Sequence, residues 1–229
     1  MMTWNAAAYE ILGGFEGDAA AGTELAALER WVRGRLPEAV REWYLFGGDR
    51  RLASISSNLV TRTQDFTNQT VIRFLASGYL LLETDSQHCC RWVVEASSAD
   101  DDPQVYLVDP DDDACTSGSR YVGTFSDYAF TAAWDAVLWK GEVWADFDHP
   151  LPVGALDALK TRLTPLPTTS GWAMNQRCDA VYRFEGVAKV AVAVAGGSAL
   201  WSAIAAPSIA TRRAFATLVG ATPEGADDR

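Results

Sequence analysis

The first third of the chain carries apolar residues at helical spacing. A helix is predicted to begin at Thr23, a good N-cap, because the apolar residues after it lie three or four positions apart and share one face. These residues are Leu25, Leu28, Val32 and Leu36. Pro37 fits the first position of a second helix, where its missing N–H does no harm, and Gly47-Gly48 ends that helix. A shorter helix is predicted at residues 3–12.

The middle of the chain changes to the pattern of strands. Short apolar runs occupy residues 71–75 and 79–84. Strict alternation follows at 90–95, where Cys90, Trp92 and Val94 share one face. A fourth run at 104–108 lies between two groups of aspartates. These runs predict a meander of about four strands, with a turn at residues 85–87 between the second and the third.

A helix and then a second mixed pattern complete the chain. Phe125 and Ser126 predict a hydrophobic staple and an N-cap for a helix that contains Trp134 and ends at Gly141. Residues 142–154 predict a linker or a crossing loop. The remainder predicts a helix at 156–163, strands at 178–185, 187–195 and 199–204, and a last helix at 208–219.

These elements predict an α+β protein. A central, mostly antiparallel sheet is flanked by helices, and an αβββα extension follows. Residues 1–140 are expected to form the first domain, and residues 141–229 an extension or a small second α+β module packed on the first. The apolar fraction of 48% and nine tryptophans supply ample area for a buried core.

Charge and cysteine usage narrow the possible partners and location. The formal net charge is −11, which repels phosphate backbones and disfavours nucleic-acid binding. The four cysteines show no CxxC spacing, and the beginning of the chain has no basic region followed by an apolar segment. The longest strongly apolar run, residues 190–195, is far too short to span a bilayer. We therefore expect a reduced, cytoplasmic protein without membrane association, as a monomer or weak dimer.

The acidity is concentrated between residues 100 and 113, which hold seven aspartates and no basic residue. These are Asp100, Asp101, Asp102, Asp109, Asp111, Asp112 and Asp113. They bracket one predicted strand, so they should lie at its two ends or in its flanking loops. Seven like charges are tolerable mainly at a solvated surface. They form either a rim that serves solubility or a surface that steers a basic protein partner.

Candidate chemistry is sparse. His88 shares a strand face with Cys90 in the predicted pattern, which would permit a Cys/His nucleophile pair, but no third orienting residue can be named. His149 closes the string Asp146-Phe147-Asp148-His149-Pro150, which could at most hold a metal ion. The aspartates at 109–113 lack the ligand ladder, glycine and closing glutamate of a calcium loop. We assign no catalytic, cofactor-binding or metal-binding residue.

Residues 23–140 resemble the SUKH superfamily. The resemblance rests on Glu29 in the first helix, the Leu36-Pro37 junction, Trp43 and the Gly47-Gly48 stop, in that order. Its second half rests on Pro103 and Val105 after Asp102, on Phe125-Ser126, and on the helix with Trp134. The chain departs from the family at Asp49-Arg50-Arg51, where members often carry a tryptophan-rich, more acidic turn.

The resemblance implies an α+β domain without catalysis. Many bacterial members of the superfamily are immunity proteins that bind and neutralise toxins, and fungal relatives are interaction hubs in cell-wall control. The leading hypothesis is therefore an immunity protein that forms a one-to-one complex with a toxin. If that toxin is a nuclease with a basic cleft, the aspartates would mimic phosphate. The alternatives are a regulatory or scaffolding module without a toxin partner, and a hydrolase that uses His88 or His149.

Overall fold

The computed structural model describes the chain from Thr3 to Leu218 except residues 16, 18, 142, 147–150, 152–153 and 174–175. The chain divides into two compact units, Met1–Val137 and Leu138–Arg229. Both units combine helices with antiparallel strands, so the predicted α+β class is confirmed. Within the described residues, none of the helices is both long and apolar enough to cross a membrane.

The first unit contains one antiparallel sheet, and its helices precede, interrupt and follow the strands along the chain. Its helices are α1 (Ala6–Ile11), α2 (Ala19–Val32), α3 (Glu38–Leu45), α4 (Gly48–Ala53), α5 (Gln69–Ala76) and α6 (Phe125–Lys140), with a 3-10 turn at Thr63–Asp65. The boundary between the units falls within α6, after Val137. The strands of the first unit are β1 (Leu59–Val60), β2 (Tyr79–Thr84), β3 (Arg91–Glu95), β4 (Val105–Val108) and β5 (Ser119–Val122). The strands lie in sequence order across the sheet, with each neighbour antiparallel.

Aromatic side chains from four helices contribute to the core of the first unit. Trp43 of α3 stacks on Tyr9 of α1 with ring centroids 5.8 Å apart and meets Phe125 of α6 edge-on at 6.4 Å. Trp134 of α6 is completely buried, as is Phe74 of α5. Such rings bury large apolar areas, so α1, α3 and α6 are held together mainly by these contacts.

The prediction of a strand at residues 71–75 is wrong, because these residues lie in α5. Asn68 caps the helix, its side chain accepting a hydrogen bond from the Thr70 amide at 2.9 Å. Val71, Phe74 and Leu75 are buried at the i, i+3, i+4 spacing of one helical face. A short segment with four apolar residues around Arg73 fits a strand or a helix equally well, and the cap at Asn68 favours the helix. Strands β2 to β5 still form a meander of four, because β5, which was not predicted, follows β4. Strand β1, also not predicted, adds a fifth strand to the sheet.

The helices near the beginning of the chain also differ from their predicted bounds. Helix α2 begins at Ala19 rather than Thr23, and it ends before Leu36 because Arg33 adopts a left-handed φ of 54°. Pro37 lies just before α3 rather than inside it. Gly47 ends α3 as predicted, with a φ of 69°, whereas Gly48 begins a further short helix, α4.

The second unit is smaller and combines an antiparallel sheet with helices. Its elements after α6 are β6 (Val143–Asp146), α7 (Ala155–Arg162), β7 (Thr164–Pro165), β8 (Thr169–Ala173), β9 (Gln176–Glu185), β10 (Lys189–Ala195), β11 (Ser198–Ala205) and α8 (Ile209–Leu218). The sheet order is β6-β11-β10-β9-β7, and β8 also pairs with β9. Phe184, Val190, Val192 and Ile204 from the sheet form one apolar cluster with Leu159 of α7 and Phe215 of α8.

The predicted αβββα pattern is present, with additions. Strands β9, β10 and β11 confirm the three predicted strands, and Gly196-Gly197 forms the turn of the predicted hairpin with positive φ at both residues. Residues 143–146 were predicted as part of a linker but pair with β11 as strand β6. The short strands β7 and β8 were not predicted. Residue 219, the predicted end of the last helix, lies outside the described residues.

Candidate functional site

The aspartates lie at the two ends of β4, an inner strand of the first sheet. Asp100, Asp101 and Asp102, here called the first acidic cluster, precede the strand. Asp109, Asp111, Asp112 and Asp113, the second acidic cluster, follow it. Four residues at about 3.3 Å each make the strand about 13 Å long. This exceeds the Debye length of about 8 Å at physiological salt, so the two clusters act largely as separate charged patches.

Internal hydrogen bonds fix the loop that carries the first acidic cluster. The Asp102 carboxylate accepts hydrogen bonds from the Ser126 amide at 2.8 Å and the Ser126 hydroxyl at 2.5 Å. The Asp101 carbonyl accepts one from the Ala39 amide at 2.9 Å. These contacts tie the loop to the first turns of α6 and α3. The Asp100 and Asp101 side chains are left exposed to solvent.

The same contacts correct the predicted start of α6. The cap is Thr124, whose hydroxyl accepts a hydrogen bond from the Asp127 amide at 3.1 Å. Ser126 lies inside the first turn and donates to Asp102. Phe125 is the first residue of the helix and packs on Trp43, so it does not form the predicted staple before an N-cap. The sequence could not separate Thr124 from Ser126, because either side chain can cap a helix.

The second acidic cluster is partly neutralised. Asp113 accepts hydrogen bonds from Arg73 at 2.8 Å and from Arg91 at 2.9 Å. Asp112 accepts hydrogen bonds from the Ser117 amide at 2.6 Å and the Ser117 hydroxyl at 2.7 Å, and these hydrogen bonds lower the pKa of its carboxyl to about 2. Asp109 and Asp111 remain exposed.

A polar cleft of about 170 Å³ adjoins the first acidic cluster. Its lining residues include Glu95, Asp100 and Tyr106. The amide of Gln104 donates a hydrogen bond to the Tyr106 hydroxyl, and the Tyr106 ring meets Tyr79 edge-on at 6.0 Å. A cleft lined by two acidic residues and an aromatic residue suits the side chain of a lysine or an arginine.

The residues behind the family resemblance have structural roles. The Glu29 carboxylate accepts a hydrogen bond from the Leu36 amide at 3.2 Å and lies 3.4 Å from the Arg41 guanidinium, so it joins α2 to the start of α3. Buried side chains make up most of the remaining set, which comprises Leu36, Pro37, Trp43, Gly47, Pro103, Val105, Phe125, Ser126 and Trp134. They form the framework that positions the acidic loops.

The structure places His88 and Cys90 differently from the predicted pair. His88 is exposed in the turn before β3, with a φ of 58°, and its amide donates to the Asp85 carbonyl at 2.8 Å. The expectation that His88 and Cys90 share a strand face is therefore wrong, since β3 begins at Arg91. Cys90 is buried, and burial raises the pKa of its thiol. His149 lies outside the described residues.

Among the described residues, no group of three or more His, Cys, Asp and Glu side chains is placed to hold a metal ion.

The sequence did not predict the burial of two carboxyl groups, those of Glu83 and Asp49. Glu83 in β2 accepts hydrogen bonds from the Tyr128 hydroxyl at 3.0 Å and the Ser56 hydroxyl at 3.2 Å, and burial raises its pKa to about 7. Burial likewise raises the pKa of Asp49 to about 6, despite a hydrogen bond from the Thr63 amide at 3.2 Å. A charged residue inside the apolar run of β2 was the available signal for Glu83.

An apolar groove of about 470 Å³ lies between α2 and α5. None of its lining residues belongs to β4 or to either acidic cluster. Trp31 lines it and is 49% exposed, and Phe66 and Ile72 form part of the opposite wall. Because Trp31 is the largest exposed apolar side chain of α2, this groove is the natural place to test for an interaction that does not involve the aspartates.

Asp102 is expected to differ from its neighbours in its effect on stability. Replacing it with alanine (D102A) removes two hydrogen bonds to a charged acceptor at the start of α6 and should lower the free energy of unfolding by about 2 kcal/mol. The exposed neighbour variant D111A should change it by less than about 0.5 kcal/mol. Urea unfolding followed by tryptophan fluorescence measures both. Equal midpoints for the two variants would contradict the structural role of Asp102.

Comparisons with known proteins give no relative from which a function can be carried over. No family model matches this chain, and no curated protein and no solved structure matches it at a significant level.

Proposed function

We propose that this chain is a non-catalytic protein-binding protein of the immunity type, which forms a one-to-one complex with a toxin through its acidic loops. The observation that carries the proposal is the fixed presentation of exposed carboxylates. Asp100 and Asp101 extend from a loop that is hydrogen-bonded to α3 and α6. Because the loop is ordered before binding, little conformational entropy is lost when a partner docks.

The first acidic cluster is the better candidate for the contact surface. It lies beside the polar cleft with Glu95, which adds a further carboxyl group. In the second acidic cluster, the pairs of Asp113 with Arg73 and Arg91 offset part of the negative charge. The more negative patch exerts the stronger pull on a basic partner and gives the larger gain in association rate.

The chemistry of these groups defines the partner. Carboxylates on a fixed loop pair with arginine and lysine side chains, and the cleft accepts one such side chain against Tyr106. A nuclease toxin carries such side chains where it holds phosphate. The aspartates would then occupy the positions of phosphate groups and block the substrate groove. The resemblance of residues 23–140 to the SUKH superfamily supports the same reading.

Co-expression in a bacterial host tests the proposal. A toxin gene that neighbours the gene for this chain should arrest growth when expressed alone, and co-expression of this chain should restore it. The two purified proteins should elute as a one-to-one complex. Growth arrest without rescue contradicts immunity. A captured partner that is not toxic would instead favour the scaffolding module.

The hydrolase alternative makes an opposite prediction for the histidines. If either histidine acts in catalysis, replacing both with alanine (H88A/H149A) should abolish the biological activity. The proposed function predicts full rescue by this double variant, because His88 is exposed in a turn and Cys90 is buried away from solvent. Loss of rescue by a folded H88A/H149A protein would contradict the proposal.

A further inference from the structure

A buried carboxyl group lies on the strand next to the edge of the first sheet, outside the acidic clusters. Glu83 of β2 is 4% exposed and sits opposite Val60 of β1 and Trp92 of β3. Strand β1 is the last strand on this side of the sheet and only two residues long. The Thr61 amide continues the pairing with a hydrogen bond to the Leu82 carbonyl at 2.9 Å. The edge is therefore attached to β2 by few backbone contacts.

Side chains from the connection between α4 and β1 attach to the same carboxyl group. The Ser56 hydroxyl donates to Glu83 Oε1 at 3.2 Å and accepts a hydrogen bond from the Asn58 amide at 3.1 Å. The Asn58 side chain also hydrogen-bonds to Glu83. On the other side, the Tyr128 hydroxyl of α6 donates to Oε2 at 3.0 Å. One carboxyl group thus joins residues 54–60, here called the edge segment, to α6.

Burial opposes a charge on this carboxyl group and outweighs the hydrogen bonds from Tyr128, Asn58 and Ser56, which favour the charged form. Among the described residues, no basic side chain forms an ion pair with it. The titratable groups facing it are Tyr128 and Asp135 from α6 and Cys90 from the residue before β3. Burial raises the pKa of both Tyr128 and Cys90, so they stay neutral near pH 7, and the charge of Asp135 opposes ionisation. From the remaining neighbours, β3 contributes Trp92, and the edge segment contributes the uncharged Ser56 and Asn58.

We propose that Glu83 makes residues 54–60 a pH-sensitive edge of the sheet, closed on β2 when the carboxyl is protonated and released when it ionises. A buried carboxylate without a cation is costly, and water is its best substitute for an ion pair. The shortest route for water to Glu83 is the detachment of a two-residue strand and the connection before it. Such local openings lie at the low end of the stability range of a protein.

The direction of the effect follows from proton binding. Burial raises the pKa of Glu83 from 4.5 to about 7, so the closed state holds the proton more tightly than the open state does. The stabilisation of the closed state is complete below about pH 4.5 and is lost as the pH rises to about 7. Between pH 6 and 8.5 the opening constant should therefore rise by about ten-fold.

Hydrogen exchange measured by mass spectrometry on the full chain tests the proposal. Protection factors, corrected for intrinsic exchange, are compared at pH 6 and pH 8.5 for peptides covering residues 54–62 and, as a reference, β4. The edge peptide should lose about ten-fold in protection while the β4 peptide stays constant. In E83Q the edge peptide should keep the same protection at both pH values, because glutamine does not ionise. The proposal is overturned if the wild-type edge peptide has equal protection at pH 6 and pH 8.5, or if E83Q shows the same pH dependence as the wild type.

Two further variants identify the responsible group. The Ser56 hydroxyl favours the charged form of Glu83, so S56A should shift the midpoint of opening to higher pH. This variant also serves as the test if E83Q does not fold, and an unchanged midpoint then overturns the proposal. D49N removes the other buried carboxyl of this region and should preserve the pH dependence. A pH dependence that disappears in D49N but persists in E83Q would assign the effect to Asp49 and refute the role of Glu83.

Discussion

Replacing Asp100 and Asp101 with lysine (D100K/D101K) is expected to slow association with the protein partner by at least about ten-fold at low ionic strength. Both side chains are exposed, and the Asp102 carboxylate and the Asp101 carbonyl hold the loop. The substitution therefore changes the charge and removes one internal hydrogen bond, from the Asp102 amide to Asp100 Oδ1 at 3.0 Å. Stopped-flow mixing with the partner at low and high salt measures the effect. The difference from wild type should shrink at high salt, because screening weakens the attraction that the aspartates supply.

Two double variants with the same change in charge serve as comparisons. D109K/D111K should slow association less than D100K/D101K, because Arg73 and Arg91 already offset part of the charge of the second acidic cluster. E10K/D157K alters exposed positions far from these loops in the chain and should leave the rate near that of wild type. Equal slowing by all three variants would show that net charge alone matters and would contradict a localised site. A loss of binding in W31A instead would assign the interaction to the apolar groove.

Replacing Gly48 with alanine (G48A) is expected to lower the free energy of unfolding by about 3 kcal/mol or more. A Cβ atom at this position would come 2.2 Å from Cε3 and 2.4 Å from Cδ2 of the Trp43 indole. The indole is buried between Tyr9 and Phe125 and has no room to withdraw. The gain in helix propensity from glycine to alanine, at most about 1 kcal/mol, does not offset such a clash. Urea unfolding gives the difference directly.

Gly17 provides the matched control for Gly48. No atom would lie within 4 Å of a Cβ at Gly17, and its φ is not in the left-handed region. G17A should change stability by less than about 0.5 kcal/mol. A loss of less than about 1 kcal/mol in G48A would mean that α4 can shift away from Trp43 at little cost. In that case the close contact of Gly48 with the indole would not explain why glycine occupies the position.

The periodic patterns predicted most of the elements, and the failures have specific physical causes. Strands β10 and β11 were predictable, because two apolar runs separated by Gly196-Gly197 are typical of a hairpin. Helix α5 was mistaken for a strand because a five-residue segment with four apolar residues fits both the helical and the strand period. Strand β6 was assigned to a linker because its pairing with β11 is formed by residues far apart in sequence. Tertiary pairing of this kind leaves no local signal.

The sequence predicted where the aspartates of the candidate site lie, but not which of them are exposed. The position of the aspartates at the ends of β4 followed from their bracketing of one strand. Which carboxylates are exposed did not, because the sequence does not show that Ser126, Ser117 and Arg91 would engage Asp102, Asp112 and Asp113. Glu83 was missed because burial of a carboxyl depends on helices and strands packing on both sides. These contacts form between distant parts of the chain.

The internal bonds of Asp102, Asp112 and Asp113 have a consequence for how specificity can evolve. Within each acidic loop, one set of aspartates maintains the loop conformation while its neighbours face solvent. Mutations at 101, 109 and 111 can therefore accumulate and retarget the protein to a new partner at little cost in stability. Descendants of this sequence that bind different partners should diverge at these three positions and retain aspartate at 102, 112 and 113. Adjacent residues of one type would thus evolve at different rates.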